Sequence, residues 1–227
     1  ITHSEAFLIT EGNKFPTSQI KTHLDWLKSQ SNGAYKGQNG ELVYSNAVGK
    51  IEVEWVPDLG NRLRPCHYNM TEKEDTTGCI TIFEHPIKVE GEIPPFLYIA
   101  GTDPYDQDQA PSSVSLGSTF IYKTFLPGVE GVYETIVAEY TARPTTAKQH
   151  HENVRKLLYY YNAKTLYENE RNSLKMHFEH NHCLHLLARQ PTALKALETT
   201  TVNRTYGIHM TNIIKSELEG LSANWLI

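Results

Sequence analysis

The distribution of hydrophobic and polar residues along the chain changes near residue 90. Before that point, short alternating runs between turn-forming residues predict half-buried strands. One amphipathic helix is predicted where Ile20, Leu24 and Leu27 recur at i, i+4 and i+7. Thr17 or Ser18 can cap the start of this helix. The predicted strands cover residues 41–44, 51–56 and 79–83.

After residue 94 the pattern predicts a regular series of elements. A continuous apolar run at 96–100 is typical of a buried strand, and two further strands follow at 118–125 and 134–140. A helix is predicted over 146–161, with the apolar residues Val154, Leu157, Leu158 and Tyr161 on one face. The remaining predictions are a strand at 163–167, a helix at 170–180, a strand at 184–188, a short helix at 191–197 and a C-terminal helix through residues 214–225.

The order of these elements limits the fold class. Three strands before the first helix do not suit a doubly wound nucleotide-binding fold. They favour a mixed sheet in which the first strand later gains a parallel neighbour through a right-handed crossover. We therefore expect an α/β protein with an RNase H-like, mixed five-stranded sheet flanked by helices over residues 91–227. Residues 1–90 are expected to form a small N-terminal linking subdomain.

The composition is that of a globular protein, with 39% hydrophobic and 21% charged residues among 227. No run approaches the roughly 18 apolar residues of a spanning helix, so an integral membrane protein is not expected. The N-terminus resembles no signal peptide and lacks an initiator Met, so we expect a piece of a longer protein. The formal charge of −5 gives no global attraction to nucleic acid. Any nucleic-acid role must use a local basic surface or metal ions held by acidic residues.

Acidic residues follow two of the predicted strands. Asp103 comes directly after the buried strand at 96–100 and its Gly-Thr extension, Asp106 and Asp108 lie in the adjoining loop, and Glu168 ends the strand at 163–167. Parallel neighbouring strands lie about 4.8 Å apart, so carboxylates at their ends can share two cations about 3.5–4 Å apart. Oxygen ligands suit Mg²⁺ or Mn²⁺. Two such ions activate a water and stabilise the leaving oxygen in phosphodiester cleavage.

Two simpler interpretations of these acids stay open from the residues alone. A Gly-Thr-Asp-Pro turn often uses the aspartate only to cap its own backbone. A glutamate at the end of a strand is usually solvated. The histidine pair His150-His151 begins an amphipathic helix and is also expected to be solvated.

Several sequence runs resemble the nuclease domain of tailed-phage large terminase subunits, in particular those of phages infecting Bacteroidetes, including the crAss-like group. The resemblance rests on the runs 101–108 (GTDPYDQD), 115–120 (SLGSTF), 136–144 (IVAEYTARP), 160–163 (YYNA), 167–170 (YENE) and 186–188 (LLA). It implies an RNase H-like endonuclease that cuts concatemeric double-stranded DNA during genome packaging. It also implies a location in the cytoplasm of the bacterial host, at the procapsid portal.

The resemblance assigns roles residue by residue. Asp103 matches the acid that ends the first strand, and Glu168 matches the acid that ends the fourth. Asp106 or Asp108 matches an auxiliary acidic position. Together with Asp103 and Glu168, these acids would form a two-metal site for Mg²⁺ or Mn²⁺. A third carboxylate would lie beyond Ile227, so the domain is expected to be truncated.

The resemblance also implies partners that act with the full-length protein, namely double-stranded DNA, the portal protein and the small terminase subunit. An ATPase motor would precede residue 1, because the chain itself contains no Gly-x-x-x-x-Gly-Lys-Ser/Thr motif. Arg204 and His209 are the candidate DNA contacts, in a glycine-containing segment that this family places close to the active site.

Two alternatives remain. Another RNase H-like enzyme, such as a transposase or resolvase, would need a recognition module, and no helix-turn-helix or zinc module is evident in the sequence. A non-catalytic module that binds DNA or the portal would use the same fold without a metal.

Overall fold

The computed structural model describes residues 17–29, 37–45, 49–66, 75–105, 115–195 and 205–225. The chain forms two compact units. The sheet unit covers Gly37–Gln190 and Asn203–His209, and the helical unit covers Ile1–Lys36, Pro191–Val202 and Met210–Ile227. The helices are α1 (Thr17–Ser29), α2 (Ala147–Tyr161), α3 (Ser173–His180), α4 (Thr192–Lys195) and α5 (Asn212–Trp225).

The sheet unit is built on one mixed sheet of seven strands. The strands are β1 (Gln38–Tyr44), β2 (Val53–Pro57), β3 (Ile80–Ile82), β4 (Tyr98–Asp103), β5 (Gly117–Lys123), β6 (Thr135–Ala142) and β7 (Lys164–Tyr167). Their order in the sheet is β2-β1-β3-β6-β5-β4-β7. The strand pairs are antiparallel except for β4 and β7, which run parallel.

This architecture confirms the mixed α/β class and corrects two details. The sheet has seven strands instead of five, because β3 pairs with β6 and so joins the strands that precede residue 90 to the rest. The strand predicted at 184–188 is wrong for its first three residues: Leu184–Leu186 is a 3₁₀ helix, in which the Leu186 N–H donates to the Cys183 carbonyl at 3.0 Å. Strand pairing in this run is limited to Leu187, which forms a single parallel bridge with Thr165 of β7, beside which the Ala188 N–H donates to the Thr165 carbonyl at 2.7 Å.

Helix α2 covers one face of the sheet. It begins at a capping box, in which the Thr146 hydroxyl accepts from the Gln149 N–H and the Gln149 side chain accepts from the Thr146 N–H. It ends at Asn162, whose φ of 49° is left-handed. Its apolar face is fully buried, as predicted. Burial of a leucine side chain on this face contributes roughly 1.5–3 kcal/mol to the stability of the fold. The buried residues of that face are Val154, Leu157, Leu158 and Tyr161.

Glu152 of α2 ties three elements of the sheet unit together. Its carboxylate accepts from the Tyr44 hydroxyl of β1 at 2.7 Å, from Arg155 at 2.7 Å and from His177 Nε2 of α3 at 2.8 Å. Burial alone would raise the pKa of Glu152, but these hydrogen bonds hold it well below its usual range. Glu152 is therefore an ionised structural residue.

The helical unit contains α1, α4 and α5 among its described residues. Leu194, Ile214 and Ala223 are its buried apolar side chains there. None of the helices in the described part of the chain is long and apolar enough to cross a membrane.

Candidate functional site

The two predicted carboxylates lie at the ends of adjacent parallel strands. Asp103 is the last residue of β4, and Glu168 directly follows β7. Thr102 is in register with Tyr167, and the Glu168 N–H donates to the Thr102 carbonyl at 3.1 Å. The ladder therefore places Asp103 and Glu168 side by side at one edge of the sheet.

Both residues belong to the same face of the sheet. In β4, Ala100 and Thr102 are buried whereas Gly101 and Asp103 are exposed. In β7, Tyr167 is buried and Glu168 is only half-buried. Because side chains alternate along a strand, the carboxylates lie on the face opposite α2.

The space beside Asp103 on this face is open. A Cβ atom added at Gly101 would meet no heavy atom within 4 Å. Asp103 as a whole residue is exposed to solvent. The surrounding protein nevertheless partly desolvates its carboxyl group, and this desolvation raises its pKa. Desolvation disfavours the charged form, so a bound divalent cation would stabilise this carboxylate.

Two hydroxyls continue the polar row from Asp103 across the sheet. Asp103 is in register with Ser118 of β5, and Ser118 is in register with Thr141 of β6. The Ser118 and Thr141 hydroxyl oxygens lie 2.7 Å apart. This row supplies oxygen atoms and hydroxyl donors next to the carboxylates.

The segment 205–209 lies beside the end of β7, where Ile208 forms a parallel bridge with Glu168. The Ile208 N–H donates to the Tyr167 carbonyl at 2.8 Å, and the Asn169 N–H donates to the Ile208 carbonyl at 2.9 Å. His209 follows, and its Nδ1 atom contacts the Glu170 carboxylate. The segment thus brings His209 to the part of the fold that holds Glu168, whereas Arg204 lies outside the described residues.

Arg143 is a cationic side chain at this edge that the sequence interpretation did not select. Its Nη1 donates to the Ser115 carbonyl at 2.6 Å, and its guanidinium lies 4.6 Å from the centre of the Tyr105 ring. Tyr105 follows Asp103 by two residues, and Ser115 precedes β5. The Arg-Pro pair in the run 136–144 was the available signal for it.

The basic residues of α2 belong to the helix on the face opposite the two carboxylates. Arg155 is bound to Glu152 and lies 5.1 Å from the centre of the Tyr44 ring, so it belongs to the structural cluster described above. Lys156 also lies over the Tyr44 ring, at 5.6 Å. Both side chains are used to hold α2 against β1.

The donor type of the described residues fits a magnesium or manganese ion, because both acids offer carboxylate oxygens and the neighbouring row offers hydroxyls. Within the described ranges no group of three or more His, Cys, Asp or Glu residues is arranged to hold a metal ion. Asp106 and Asp108 lie outside the described residues. The described part of the site therefore supplies two carboxylates.

Comparisons of the chain with protein-family models, with curated proteins and with solved structures give no match.

Proposed function

We propose that the chain is a metal-dependent endonuclease for double-stranded DNA, the nuclease domain of a phage large terminase subunit. One observation carries this proposal: Asp103 and Glu168 end two adjacent parallel strands and lie on the same open face. The sequence runs that resemble this family include both acids.

The strand order supports an RNase H-like interpretation of the sheet. Strands β6, β5, β4 and β7 are neighbours in that order, and α2 connects β6 to β7, which run in the same direction. A strand that returns parallel to the first strand after a three-stranded meander is the arrangement that the element order predicted.

Asp103 and Glu168 would hold the Mg²⁺ or Mn²⁺ ions, with Asp106 or Asp108 as an auxiliary ligand. Two such ions, when bound, would activate a water and stabilise the leaving oxygen of the phosphodiester. The chain's own residues would then orient the substrate. Arg143 and His209 are the side chains we assign to the DNA backbone, since phosphate contacts position a duplex without reading its sequence.

The wider role follows from the same proposal. The substrate would be concatemeric phage DNA, cut at the procapsid portal in the host cytoplasm. The portal protein and the small terminase subunit would be partners of the full-length protein.

Cleavage of supercoiled plasmid in Mn²⁺, Mg²⁺ or EDTA tests the proposal. We expect nicking and linearisation with either ion and none with EDTA. Asp103→Asn should lower the rate at least about 100-fold, since even the residues that support metal ligands change activity 10- to 100-fold. It should not lower the melting temperature, because it removes a partly desolvated charge without making a cavity.

Glu139→Gln is the matched control. Glu139 is a half-buried carboxylate on the same face. It is in register with Phe120 of β5, which pairs with Gly101, two residues before Asp103. Its neutral variant should cleave like the wild type. Full activity of Asp103→Asn, or equal losses in both variants, would contradict the proposed assignment.

A non-catalytic DNA- or portal-binding module is the second candidate. One observation favours it: in the part of the site that the structure describes, two carboxylates are present without a third metal-ligating side chain. DNA binding that is unaffected by EDTA, together with no cleavage in either ion, would support this alternative.

A further inference from the structure

Three buried threonine hydroxyls form a chain beneath the two carboxylates. Thr119 of β5 and Thr165 of β7 are fully buried, and Thr102 of β4 is 6% exposed. The Thr102 Oγ1 atom lies 3.0 Å from Thr119 Oγ1 and 2.8 Å from Thr165 Oγ1. The chain crosses the three strands at the end that carries Asp103 and Glu168.

The three hydroxyls can satisfy one another. Each hydroxyl has one hydrogen to donate. With the Thr165 hydroxyl donating to the Leu166 carbonyl at 3.2 Å, Thr165 is able to accept from Thr102. In that arrangement the Thr102 hydroxyl is able to accept from Thr119. Each hydroxyl then donates once within this arrangement, which satisfies three buried polar groups together.

The chain is specific to one register of β4 against β7. Thr165 is in register with Ala100, so its hydroxyl meets Thr102 diagonally across the parallel ladder. A slip of one residue would move Glu168 to the opposite face of the sheet. A slip of two residues would move it about 6.6 Å along the strand, away from Asp103.

The hydrogen bond between Thr102 and Thr165 joins two strands whose backbone pairing is short. The β4–β7 ladder has four residue pairs, from Ile99–Lys164 to Thr102–Tyr167. Parallel pairing is also slightly less stable per residue than antiparallel pairing. A side-chain bond between the two strands therefore adds a further contact to a short ladder at their ends.

We propose that Thr102 is a positioning residue, which acts with Thr119 and Thr165 to hold Asp103 and Glu168 at the spacing that a shared divalent cation requires. This inference rests on the proposed function. It assigns the buried hydroxyls to the geometry of the site in addition to the stability of the sheet.

The test compares the wild type with the triple variant T102V/T119V/T165V. Valine keeps the shape of threonine, and removing all three hydroxyls together leaves none of them unsatisfied; the Leu166 carbonyl alone loses a donor, so the variant should fold. We expect Mn²⁺ binding, followed by the EPR signal of free Mn²⁺, to weaken at least 10-fold. Without metal, hydrogen exchange of the Glu168 amide should accelerate at least 10-fold, because that amide bonds to Thr102 at the strand ends.

Two variants separate positioning from general sheet stability. Thr81→Val removes a buried hydroxyl of β3 that donates to Asn39 at 3.0 Å, and it should leave Mn²⁺ binding unchanged. Thr102→Ser keeps the hydroxyl and should retain wild-type binding. A wild type that binds no Mn²⁺ would contradict the proposed function itself. A folded triple variant with Mn²⁺ affinity within twofold of a binding wild type would overturn the positioning role alone.

Discussion

Gly207 lets the segment 205–209 approach the end of β7 more closely than a residue with a side chain could. Its φ of +75° is left-handed, and a Cβ atom there would lie 2.7 Å from the Tyr167 carbonyl oxygen and 2.9 Å from Asn169 Cβ. The close approach allows the Ile208 N–H to reach the Tyr167 carbonyl. One glycine thus decides whether His209 lies beside the strand that leads to Glu168.

We expect Gly207→Ala to lower the free energy of unfolding by more than about 1 kcal/mol, because a left-handed φ and a clash with backbone act together. Gly91→Ala is the control, since Gly91 has a φ of +86° and open space around its Cβ position. Urea unfolding of both variants measures the difference. Equal losses would show that the close approach at Gly207 has no cost of its own.

At the scale of single elements, the sequence predicted the helices and strands whose positions follow from local periodicity. Helix α2 buries the four apolar residues that its 3.6-residue spacing selected, and the strands that carry Asp103 and Glu168 were predicted within two or three residues of their ends. The meander and its parallel fourth strand also followed from element order. These features depend on patterns that lie within one element or in the succession of elements.

What depends on contacts between distant strands could not be predicted. His150 was expected to be solvated, but it is fully buried, stacked on Tyr140 at 5.1 Å and in contact with Tyr105. The pairing of β3 with β6 joins residues about 60 positions apart, and no local pattern encodes it. Arg143 was missed for the same reason, because its importance comes from lying between Tyr105 and Ser115.

At the scale of the whole molecule, buried histidines link stability to pH. Burial lowers the pKa of His150 to about 4. Burial, with His150 and His177 nearby, lowers that of His151 to about 3. In the unfolded chain both groups bind a proton below about pH 6.5. Between about pH 4 and pH 6.5 the unfolded chain therefore binds more protons than the folded chain, so the free energy of unfolding rises with pH.

The free energy of unfolding should therefore fall as the pH drops from about 6.5 towards 4, and the loss should be on the order of a few kcal/mol. His150→Leu should make this dependence shallower, because it removes one of the two titrating groups. His180→Gln changes an exposed histidine and should leave the slope unchanged. Urea titrations at several pH values measure all three, and a wild-type profile that is flat over this range would contradict the role of the buried histidines.

The central claim is that the ends of β4 and β7 hold a divalent cation together, and anomalous scattering from crystals soaked in Mn²⁺ tests it most directly. We predict a peak within about 2.5 Å of a carboxylate oxygen from Asp103 and from Glu168. The peak should be absent from crystals of Asp103→Asn treated in the same way. Manganese bound elsewhere, with none between these two residues in the wild type, would contradict the claim.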